Sequence, residues 1–571
     1  MSAEITLLPF LRDFPKWRGI AKDLLASLSI ALIALPQALA YAFVADLPLV
    51  VGVATAIYGT LFCALFGASR HLVSGPTNTI AILLLSAVGG IVATHYGDLS
   101  PAERHHIAFL LAIQATLMIG ILQIGAALFG LGKLAQFVSR PVVKGYVCGA
   151  AIAVIVSQLP VFMGIPSPSQ MAPLYVKLLY IFRHLPEAHL MTVAVGAGSL
   201  VTLIVLRRVI GRAYAALIVF GLAILIGWAF DLGVSTVASA REMGGALGRP
   251  APPYFDFRLI GELLPVAFAI SLLGALEVTA IVKSLGGKTG QPPNLSQEVF
   301  GLGIANLLSS FFGAMPSSGS FARSTINFEA GGTSRWAALF SAPLVALLYF
   351  GLGQGIGAIP LATFAALLFT TAGAMVDRRE MYVCVKATRG DRIALVATFA
   401  SCLLFSLSTA FYVGVILSVI VYLRKAATPM VIEVGVGSQG EIRPTSLLTP
   451  HPHVKVIDVE GELFFGAVDF FQRAFEALAT DAKVRAVILR LKNAHHFDAT
   501  TCLALRHVHH YLEKQGISLL LCGVSEADWR VLSRSGLSEL IGSENLFPND
   551  TQDVLGSMRR AFARAESLTD V

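Results

Sequence analysis

The sequence predicts a polytopic α-helical membrane protein of fourteen spans, followed by a small cytoplasmic α/β domain. Three observations predict this class. The chain of 571 residues is 55% hydrophobic and only 13% charged, whereas soluble globular proteins carry roughly 25% charged residues. Apolar runs of about 20 residues recur along most of the chain, as membrane-spanning helices require. After Lys425 short β-type runs alternate with amphipathic helical patterns.

The apolar runs fall into two sets of seven. Their predicted limits are 22–45, 49–68, 76–94, 106–131, 138–163, 188–207 and 213–231, and then 258–284, 293–314, 320–334, 336–356, 360–376, 391–409 and 411–424. The runs at 76–94 and 320–334 are short, and each follows a break rich in Gly, Pro and Ser. Two short, interrupted runs at corresponding places predict an internal repeat, either inverted or parallel.

Basic residues fall on alternate loops between these runs, as the positive-inside rule requires of cytoplasmic loops. They are Lys133, Arg140, Arg207, Arg208, Arg212, Lys283, Lys288, Arg378, Arg379, Arg424 and Lys425. We therefore expect a multi-pass protein of the bacterial inner (plasma) membrane with both termini in the cytoplasm. Residues 1–429 form the predicted membrane domain, and residues 430–571 form the predicted cytoplasmic domain.

The charge of +7 is divided unevenly between these two parts. Residues 430–571 hold 14 Lys and Arg against 18 Asp and Glu, a net of −4. Residues 1–429 hold the other 28 basic and 17 acidic residues, a net of +11. Because the basic excess lies on membrane loops, it indicates anchoring to the lipid bilayer and not a nucleic-acid surface.

The region after 430 predicts a buried sheet flanked by helices. "VKVIDVEGELFF", "VRAVILRL" and "ISLLLCG" are typical of strands, while 467–479 and 500–516 are amphipathic helical patterns. Strands that alternate with helices indicate a small α/β domain with a buried sheet.

The breaks at 74–79, "SGPTNT", and 315–328, "MPSSGSFARSTINF", point to a common site at membrane depth. Non-helical backbone there requires a cavity or protein surroundings. Transporters use such breaks to aim two half-helix N-termini at one substrate. The spacing agrees, because Gln37 precedes Thr77 by 40 residues and Glu277 precedes Ser317 by 40.

Helix N-termini offer free N–H groups and a partial positive charge, and Arg323 adds a full charge one turn into the second half-helix. The substrate is therefore expected to be an anion. The candidate hydrogen-bonding side chains are Gln37, Tyr41, Thr77, Asn78 and Ser320. Two plainer interpretations remain open: Arg323 anchors a helix end at the interface, and the polar residues at 77–79 are only N-caps.

Glu277 is, with Arg323, a second charged residue that is energetically unfavourable within a membrane span, since it lies in the apolar run "AISLLGALEVTAIV". A carboxylate at that depth must be paired or protonated. The plainer interpretation is a structural salt bridge, perhaps to Arg323. The functional interpretation is a proton-coupling group that takes up a proton together with the anion and offsets its charge.

The chain resembles the sulfate permease (SulP) family of anion transporters over nearly its whole length. "LPQALAYAFVADLPLVVGVATAIYGTLFCALFGASRHLVSGPT" is similar to the first signature of that family, and "NLSQEVFGLGIANLLSSFFGAMPSSGSFARSTINFEAGGTSR" to its second conserved block. The tail from about 430 is similar to a STAS domain. The resemblance implies fourteen helices in two inverted repeats of seven, split into core and gate domains, an elevator-like motion and a homodimer.

The resemblance also implies where the substrate binds. It places the anion between the third and tenth helices, near Gln37, Tyr41, Thr77, Ser320, Phe321, Ala322 and Arg323. Family substrates include sulfate, bicarbonate, chloride and C4-dicarboxylates. Sodium-coupled bicarbonate members carry Asp on the eighth helix with Thr one turn later. Here Glu277 and Ile281 stand at those positions, so proton coupling is favoured over sodium.

We therefore expect a secondary active transporter, not an enzyme, that moves sulfate, bicarbonate or a C4-dicarboxylate, by proton-coupled symport. An anion exchanger, a uniporter or channel, and a non-transporting anion sensor that signals through STAS remain as alternatives. A nucleobase permease of similar architecture is disfavoured, because Arg323 and the STAS tail do not fit that class.

No metal or cofactor is expected. The six cysteines are scattered without a CxxC pair, which is typical of small core residues. Histidines cluster at 495, 496, 507, 509 and 510, and a solvated helix face is favoured over a metal site. In the STAS region Thr500 stands at the phosphorylatable position of related domains, but Thr501 replaces their Gly, so we expect Thr500 only to cap the following helix.

Overall fold

The computed structural model describes most of the chain. The described residues are 5–6, 9, 17–130, 139–168, 172–210, 212–230, 233–237, 247, 249–426, 430–436, 442–444, 451–462, 483–495, 497–549, 553 and 555–569. The chain divides into two compact units, Met1–Ser418 and Val419–Val571. The predicted domain boundary at 429/430 lies beside residues outside the described part, and it stays a prediction.

Within its described residues, the regular secondary structure of the first unit is helical apart from two short strands. Its first half contains α1 (Trp17–Val44), α2 (Leu49–Ala54), a π-helical turn (Thr55–Gly59), α3 (Thr60–Phe66), α4 (Asn78–His95), α5 (Pro101–Leu128), α6 (Arg140–Met163), α7 (Leu174–His184), a 3₁₀ turn (Leu185–Glu187), α8 (Leu190–Val209) and α9 (Arg212–Ala229). The π turn joins α2 and α3 into one continuous span, Leu49–Phe66. Strand β1 (Ser74–Gly75) precedes α4.

The second half has the same plan. It contains a 3₁₀ turn (Phe257–Leu259), α10 (Ile260–Thr289), α11 (Leu295–Ser310), α12 (Phe321–Glu329), α13 (Trp336–Leu352), a 3₁₀ turn (Gly353–Ala358), α14 (Leu361–Met375), α15 (Arg378–Ala387), α16 (Arg389–Leu404) and α17 (Leu407–Ala426). Strand β2 (Ser318–Gly319) precedes α12, as β1 precedes α4. All fourteen predicted spans correspond to helices, and the helical class is confirmed.

Length and composition set the candidate spans apart from the shorter helices. Within the described residues, eight helices are long and apolar enough to cross a bilayer. Three further apolar helices are shorter, at Tyr214–Gly227, Trp336–Leu352 and Thr409–Arg424. Helix α12 has only nine residues, although the prediction extended to 334. It ends early because Gly331, with a φ of +82°, and Gly332 follow it, and glycine readily leaves the helical conformation.

Two helices, α7 and α15, were not predicted. Both are amphipathic and carry basic residues in the last turn, Arg183 and His184 in α7 and Lys386 in α15. A hydropathy search passes over such short charged segments because they do not form an apolar run. Lys133, one of the predicted cytoplasmic cations, lies outside the described residues.

Small residues allow the helices that support the breaks to pack closely. A side-chain carbon added to Gly120 of α5 would lie 2.5 Å from the backbone nitrogen of Leu307 in α11. A carbon added to Gly303 of α11 would lie 2.8 Å from the backbone nitrogen of Ile124 in α5. Glycine at both positions therefore lets the two backbones touch, as is common between membrane helices.

The second unit contains a six-stranded sheet in the order β4-β3-β5-β6-β7-β8. The strands are β3 (Met430–Val436), β4 (Ile442–Pro444), β5 (Val454–Glu462), β6 (Ala486–His495), β7 (Ser518–Val524) and β8 (Leu546–Pro548). Strands β5 to β8 are parallel, while β3 pairs antiparallel with both neighbours. The three predicted strands are confirmed as β5, β6 and β7, and three edge-region strands were missed.

In the described part of this unit, the α-helices after β6 are α18 (Ala499–Lys514), α19 (Glu526–Arg534), α20 (Leu537–Ile541) and α21 (Gly556–Ser567). Buried apolar clusters cover both faces of the sheet, one including Leu489 and Leu505 and the other Ile488 and Ala561. The predicted helix at 500–516 is confirmed as α18, and the predicted helix at 467–479 lies outside the described residues.

Candidate functional site

The two chain breaks meet and pair with each other. Strands β1 and β2 are antiparallel, with Ser74 opposite Gly319 and Gly75 opposite Ser318. The backbone N–H of Ser320 donates to the carbonyl of Val73 at 2.9 Å. These bonds satisfy backbone groups that would otherwise be unpaired inside the first unit. The structure therefore brings the beginnings of α4 and α12 to one place, as the spacing of the breaks predicted.

Each half-helix is capped by a hydroxyl residue. The Thr77 side chain accepts from the backbone N–H of Ile80 at 3.5 Å at the start of α4. The Ser320 side chain accepts from the backbone N–H of Arg323 at 3.4 Å at the start of α12. Both bonds are long, so each hydroxyl satisfies its helix end only weakly. Two helix N-termini that converge in this way form a region of positive electrostatic potential.

Arg323 lies at the junction of the two breaks and is 1% exposed. Its Nη2 donates to the carbonyl of Pro76 at 3.1 Å, so the second half-helix contacts the first break directly. Its Nε and Nη1 atoms are buried without a hydrogen-bond partner. Complete burial excludes the interpretation of Arg323 as an interfacial anchor. Two unpaired donors on a buried guanidinium indicate a place for a hydrogen-bonding anion.

Gly75 makes room for this guanidinium. Its φ is +137°, which side-chain-bearing residues rarely adopt. A carbon added there would lie 3.0 Å from Nη2 and 3.3 Å from Cζ of Arg323. The glycine of the first break thus fixes how closely the backbone approaches the arginine of the second half-helix.

Glu277 lies on α10 beside the same junction. The hydroxyls of Ser318 and Thr79 face its carboxylate, but its Oε2 atom is buried without a hydrogen-bond partner. No ion pair joins Glu277 to Arg323 in the described structure, so the structural salt bridge is wrong. A carboxylate with an unpaired buried oxygen is suited to hold a proton, because the neutral acid costs less to bury.

The remaining side chains predicted on α1 and α4 are those of Tyr41, Gln37 and Asn78. Tyr41 is 8% exposed and interacts electrostatically with Arg323 and Glu277. The Oε1 atom of Gln37 and the Oδ1 atom of Asn78 are buried without partners. The Nδ2 atom of Asn78 donates to the sulfur of Met375 at 3.2 Å, which joins the first half-helix to the end of α14.

Phe321 and Ala322 differ from the other predicted site residues because their side chains point outward. Phe321 is 55% exposed, and Ala322 is exposed as well. Since they form the first turn of α12, their backbone N–H groups are the part of them that an anion at the helix N-terminus would meet.

Sequence analysis missed the residues that hold the second break in place. Asn306 of α11 accepts from the backbone N–H and the hydroxyl of Ser317 at 2.7 and 2.8 Å. Its Nδ2 donates to Gln123 Oε1 at 2.8 Å and to the carbonyl of Ser317 at 3.2 Å. Asn306 is fully buried, so its amide is a satisfied clamp on the break. A lone Asn in the apolar run "GLGIANLL" was the available signal.

The first break has a matching clamp. Thr60 of α3 donates its hydroxyl hydrogen to the carbonyl of Ser74 at 2.7 Å, and the Ser74 hydroxyl donates to the carbonyl of Gly59 at 2.7 Å. The Ser324 hydroxyl of α12 accepts from the backbone N–H of Val73 at 2.9 Å. Both breaks are therefore fixed by neighbouring helices, which pre-orients the two half-helix ends.

Among the described residues of the second unit, one group of side chains could hold a metal. His509, His510 and Glu513 of α18 offer ligand atoms within 4.8 Å of one another. His510 and Glu513 are exposed and lie 3.5 Å apart, which is the arrangement of a solvated pair one turn apart. His496 lies outside the described residues.

The expected cap at Thr500 is wrong. Asp498 is the N-cap of α18, because its carboxylate accepts from the Thr501 backbone N–H at 2.7 Å and from the Thr501 hydroxyl at 2.9 Å. Aspartate is a strong N-cap and also favours the positive helix end.

The family follows from comparison with known proteins. Residues 20–398 match the sulfate permease family, and residues 447–552 match the STAS domain. The membrane region and the tail thus match the two parts that the motifs predicted. The chain belongs to the sulfate permease family, whose members are anion transporters rather than enzymes.

Individual relatives agree with this assignment. A putative sulfate transporter of Bacillus subtilis, YvdB, is 25% identical over 530 residues, which are 92% of this chain and 96% of that protein. The chloroplastic sulfate transporter 4.1 of Arabidopsis thaliana is 26% identical over 95% of this chain and 81% of its own length. Both are similar to this chain across the membrane region and the tail.

Solved structures share the fold. Murine Slc26a9, an anion transporter in the inward-facing state, superposes with a TM-score of 0.87 at 20% identity, covering 98% of this chain and 94% of that chain. The transmembrane domain of the cyanobacterial bicarbonate transporter BicA gives 0.61 at 21% identity, covering 73% of this chain and all of the other. The helical membrane-transporter fold, followed by a C-terminal STAS domain, is therefore confirmed.

Proposed function

We propose that this protein is a secondary active transporter of a small anion, namely sulfate, bicarbonate or a C4-dicarboxylate, in the bacterial inner membrane. The observation that carries the proposal is Arg323, a buried guanidinium with two unpaired donors at the junction of two half-helix N-termini. Sulfate and bicarbonate transporters among the relatives support an oxyanion. The STAS unit and both termini are proposed to be cytoplasmic.

The junction suits an oxyanion because it combines three kinds of donor. The guanidinium supplies Nε and Nη1, the first turns of α4 and α12 supply backbone N–H groups, and Tyr41 supplies a hydroxyl. Charge-assisted bonds from a guanidinium to an oxyanion are stronger than neutral ones. Gln37, Thr77, Asn78 and Ser320 would set the orientation of the anion around this charge.

Proton coupling is proposed through Glu277. Its Oε2 atom is buried without a hydrogen-bond partner, and no ion pair of the described residues includes Glu277, so no cationic side chain cancels its charge. A proton taken up with the anion would remove that charge and would make the loaded site closer to neutral. Sodium is disfavoured, because Ile281 offers no oxygen ligand where one would be needed.

An elevator-type movement in a homodimer is proposed for the transport step. The two half-helices are tied to each other through Arg323 and Pro76 and to α3 and α11 through Thr60 and Asn306. Groups bound this tightly move as one body. The contact between Asn78 and Met375 is a single bond to sulfur, so it can break as that body slides past α14.

The experiment is uptake into proteoliposomes of labelled sulfate, bicarbonate and succinate, each with and without an inward proton gradient. Saturable uptake of one anion, accelerated by the gradient, would support the proposed symport and identify the substrate. Uptake that needs a counter-anion inside and ignores the gradient would support an exchanger. Currents far above carrier rates would indicate a channel, and binding without flux would indicate a sensor.

A further inference from the structure

Helix α15, which links α14 to α16, lies at the protein surface. It has no buried residue, and its start is fixed by Asp377, whose carboxylate accepts from the backbone N–H groups of Arg379 and Glu380 at 3.0 and 3.1 Å. On its inner side the Met381 sulfur lies 3.1 Å from Cys148 Sγ, and Lys144 pairs with Glu380 at 2.5 Å. The helix is therefore held against α6 along one side only.

The outer side carries an aromatic and an aliphatic residue among cations. Tyr382 is 64% exposed and Val383 is 57% exposed. The Lys386 ammonium lies 5.7 Å from the centre of the Tyr382 ring, which is within cation–π range. Aromatic rings beside Lys and Arg are typical of the interface between water and the hydrocarbon core of a bilayer.

Five exposed cations surround this side and define what we call the basic ledge. They are Arg378, Arg379, Lys386, Arg389 and Arg392. The nearby Glu380 is engaged by Lys144, and none of the five has an ion-pair partner within the part of the chain that the structure describes. Unpaired cations at high local density attract anionic groups.

Apolar surface follows the ledge directly along α16. Ile393 is 62% exposed and Val396 is 52% exposed, so they begin an apolar stripe immediately after Arg392. A row of cations that is followed by exposed aliphatic side chains matches the order of headgroups and acyl chains in one leaflet. The basic residues at 378 and 379 are also those that the positive-inside rule places on the cytoplasmic side.

We propose that the basic ledge binds the headgroups of anionic phospholipids in the cytoplasmic leaflet. The phosphate of such a lipid would contact Arg389 and Arg392, while its acyl chains cover Ile393 and Val396. This site is separate from the junction at Arg323 and is independent of which anion the protein carries. It ties the lipid composition of the membrane to α14 and α16, the helices on either side of α15.

The experiment measures lipid selectivity on the full-length protein. Protein is reconstituted into phosphatidylcholine bilayers that contain spin-labelled phosphatidylglycerol or spin-labelled phosphatidylcholine, and the motionally restricted fraction of each label is recorded. We expect restricted phosphatidylglycerol to exceed phosphatidylcholine. The double substitution Arg389→Gln/Arg392→Gln should lower this preference by about tenfold, because each cation contributes several-fold near an anionic surface.

The matched control is Arg183→Gln/Arg258→Gln, which also removes two exposed charges but outside the ledge, and it should keep the preference. If the first double variant fails to fold, Arg378→Gln/Arg379→Gln tests the same ledge through two exposed side chains. Equal restriction of both labels in the wild type, or an unchanged preference in the ledge variants, would overturn the proposal. Loss of the preference on adding inorganic phosphate would also overturn it in favour of a soluble anion.

Discussion

The clamp at Asn306 gives the sharpest prediction about how the site is held. Replacing Asn306 with Ala removes four buried hydrogen bonds to Ser317 and Gln123. It leaves the Ser317 backbone N–H and the Gln123 side-chain carbonyl without partners. Each buried group that loses its partner lowers the free energy of unfolding by about 1–3 kcal/mol. We therefore expect Asn306→Ala to lower the stability of the folded protein around the second break by roughly 3–4 kcal/mol. The substitution should also raise the KM for the transported anion, because the start of α12 is no longer fixed.

The control is Ser310→Ala on the same helix. Its hydroxyl makes one local bond to the carbonyl of Leu307 at 2.7 Å, so its loss should cost about 1 kcal/mol or less. The assay compares melting temperatures of the purified proteins at one heating rate, together with the concentration dependence of uptake. If Asn306→Ala has the same melting temperature as Ser310→Ala and keeps the wild-type KM, Asn306 does not position the half-helix and the reasoning is refuted.

Three further predictions test other parts of the structure. Gly75→Ala should raise the KM severalfold in uptake assays and also lower the melting temperature, because alanine is strained at a φ of +137° and its methyl group crowds the Arg323 guanidinium; an unchanged KM would contradict this. Glu277→Gln should abolish acceleration of uptake by a proton gradient, and persisting acceleration would remove Glu277 from the coupling. Burial holds the pKa of His509 below its usual value of about 6.5. As the pH drops through about 6.5, the unfolded chain therefore takes up a proton on this histidine before the folded protein does, and the free energy of unfolding decreases. The melting temperature should therefore fall more between pH 7.5 and 5.5 in the wild type than in His509→Gln, and equal losses would contradict the assignment.

The class of fold could be predicted because the dominant signal is long apolar runs, which hardly depend on tertiary contacts. The paired breaks were also predictable, since Gly, Pro and Ser within such runs interrupt a helix wherever they occur. Helices α7 and α15 were missed because their amphipathic pattern is short and charged. The length of α12 was overestimated because the prediction extended the helix to residue 334, past Gly331, where the backbone turns out of the helix.

The site was only partly predictable, and its charged groups were the easiest part. Arg323 and Glu277 are conspicuous because charges within apolar runs are costly. Their relation to each other was not visible: the sequence left a salt bridge open, and only the packing of α10 against the breaks shows that none forms. Asn306 and Thr60 bind backbone groups 11 and 14 residues away in the sequence. The lone Asn in an apolar run was a signal for Asn306, but no local pattern shows which groups either side chain contacts.

The measurement that tests the central claim most directly is saturable anion uptake by Arg323 variants in proteoliposomes. The account predicts that Arg323→Ala abolishes saturable uptake, while Arg323→Lys retains part of it because the charge stays but the two-donor fork is lost. Arg258→Ala, which removes an exposed cation away from the junction, should transport as the wild type does. Wild-type uptake by Arg323→Ala would contradict the assignment of the anion to the junction of the two half-helices.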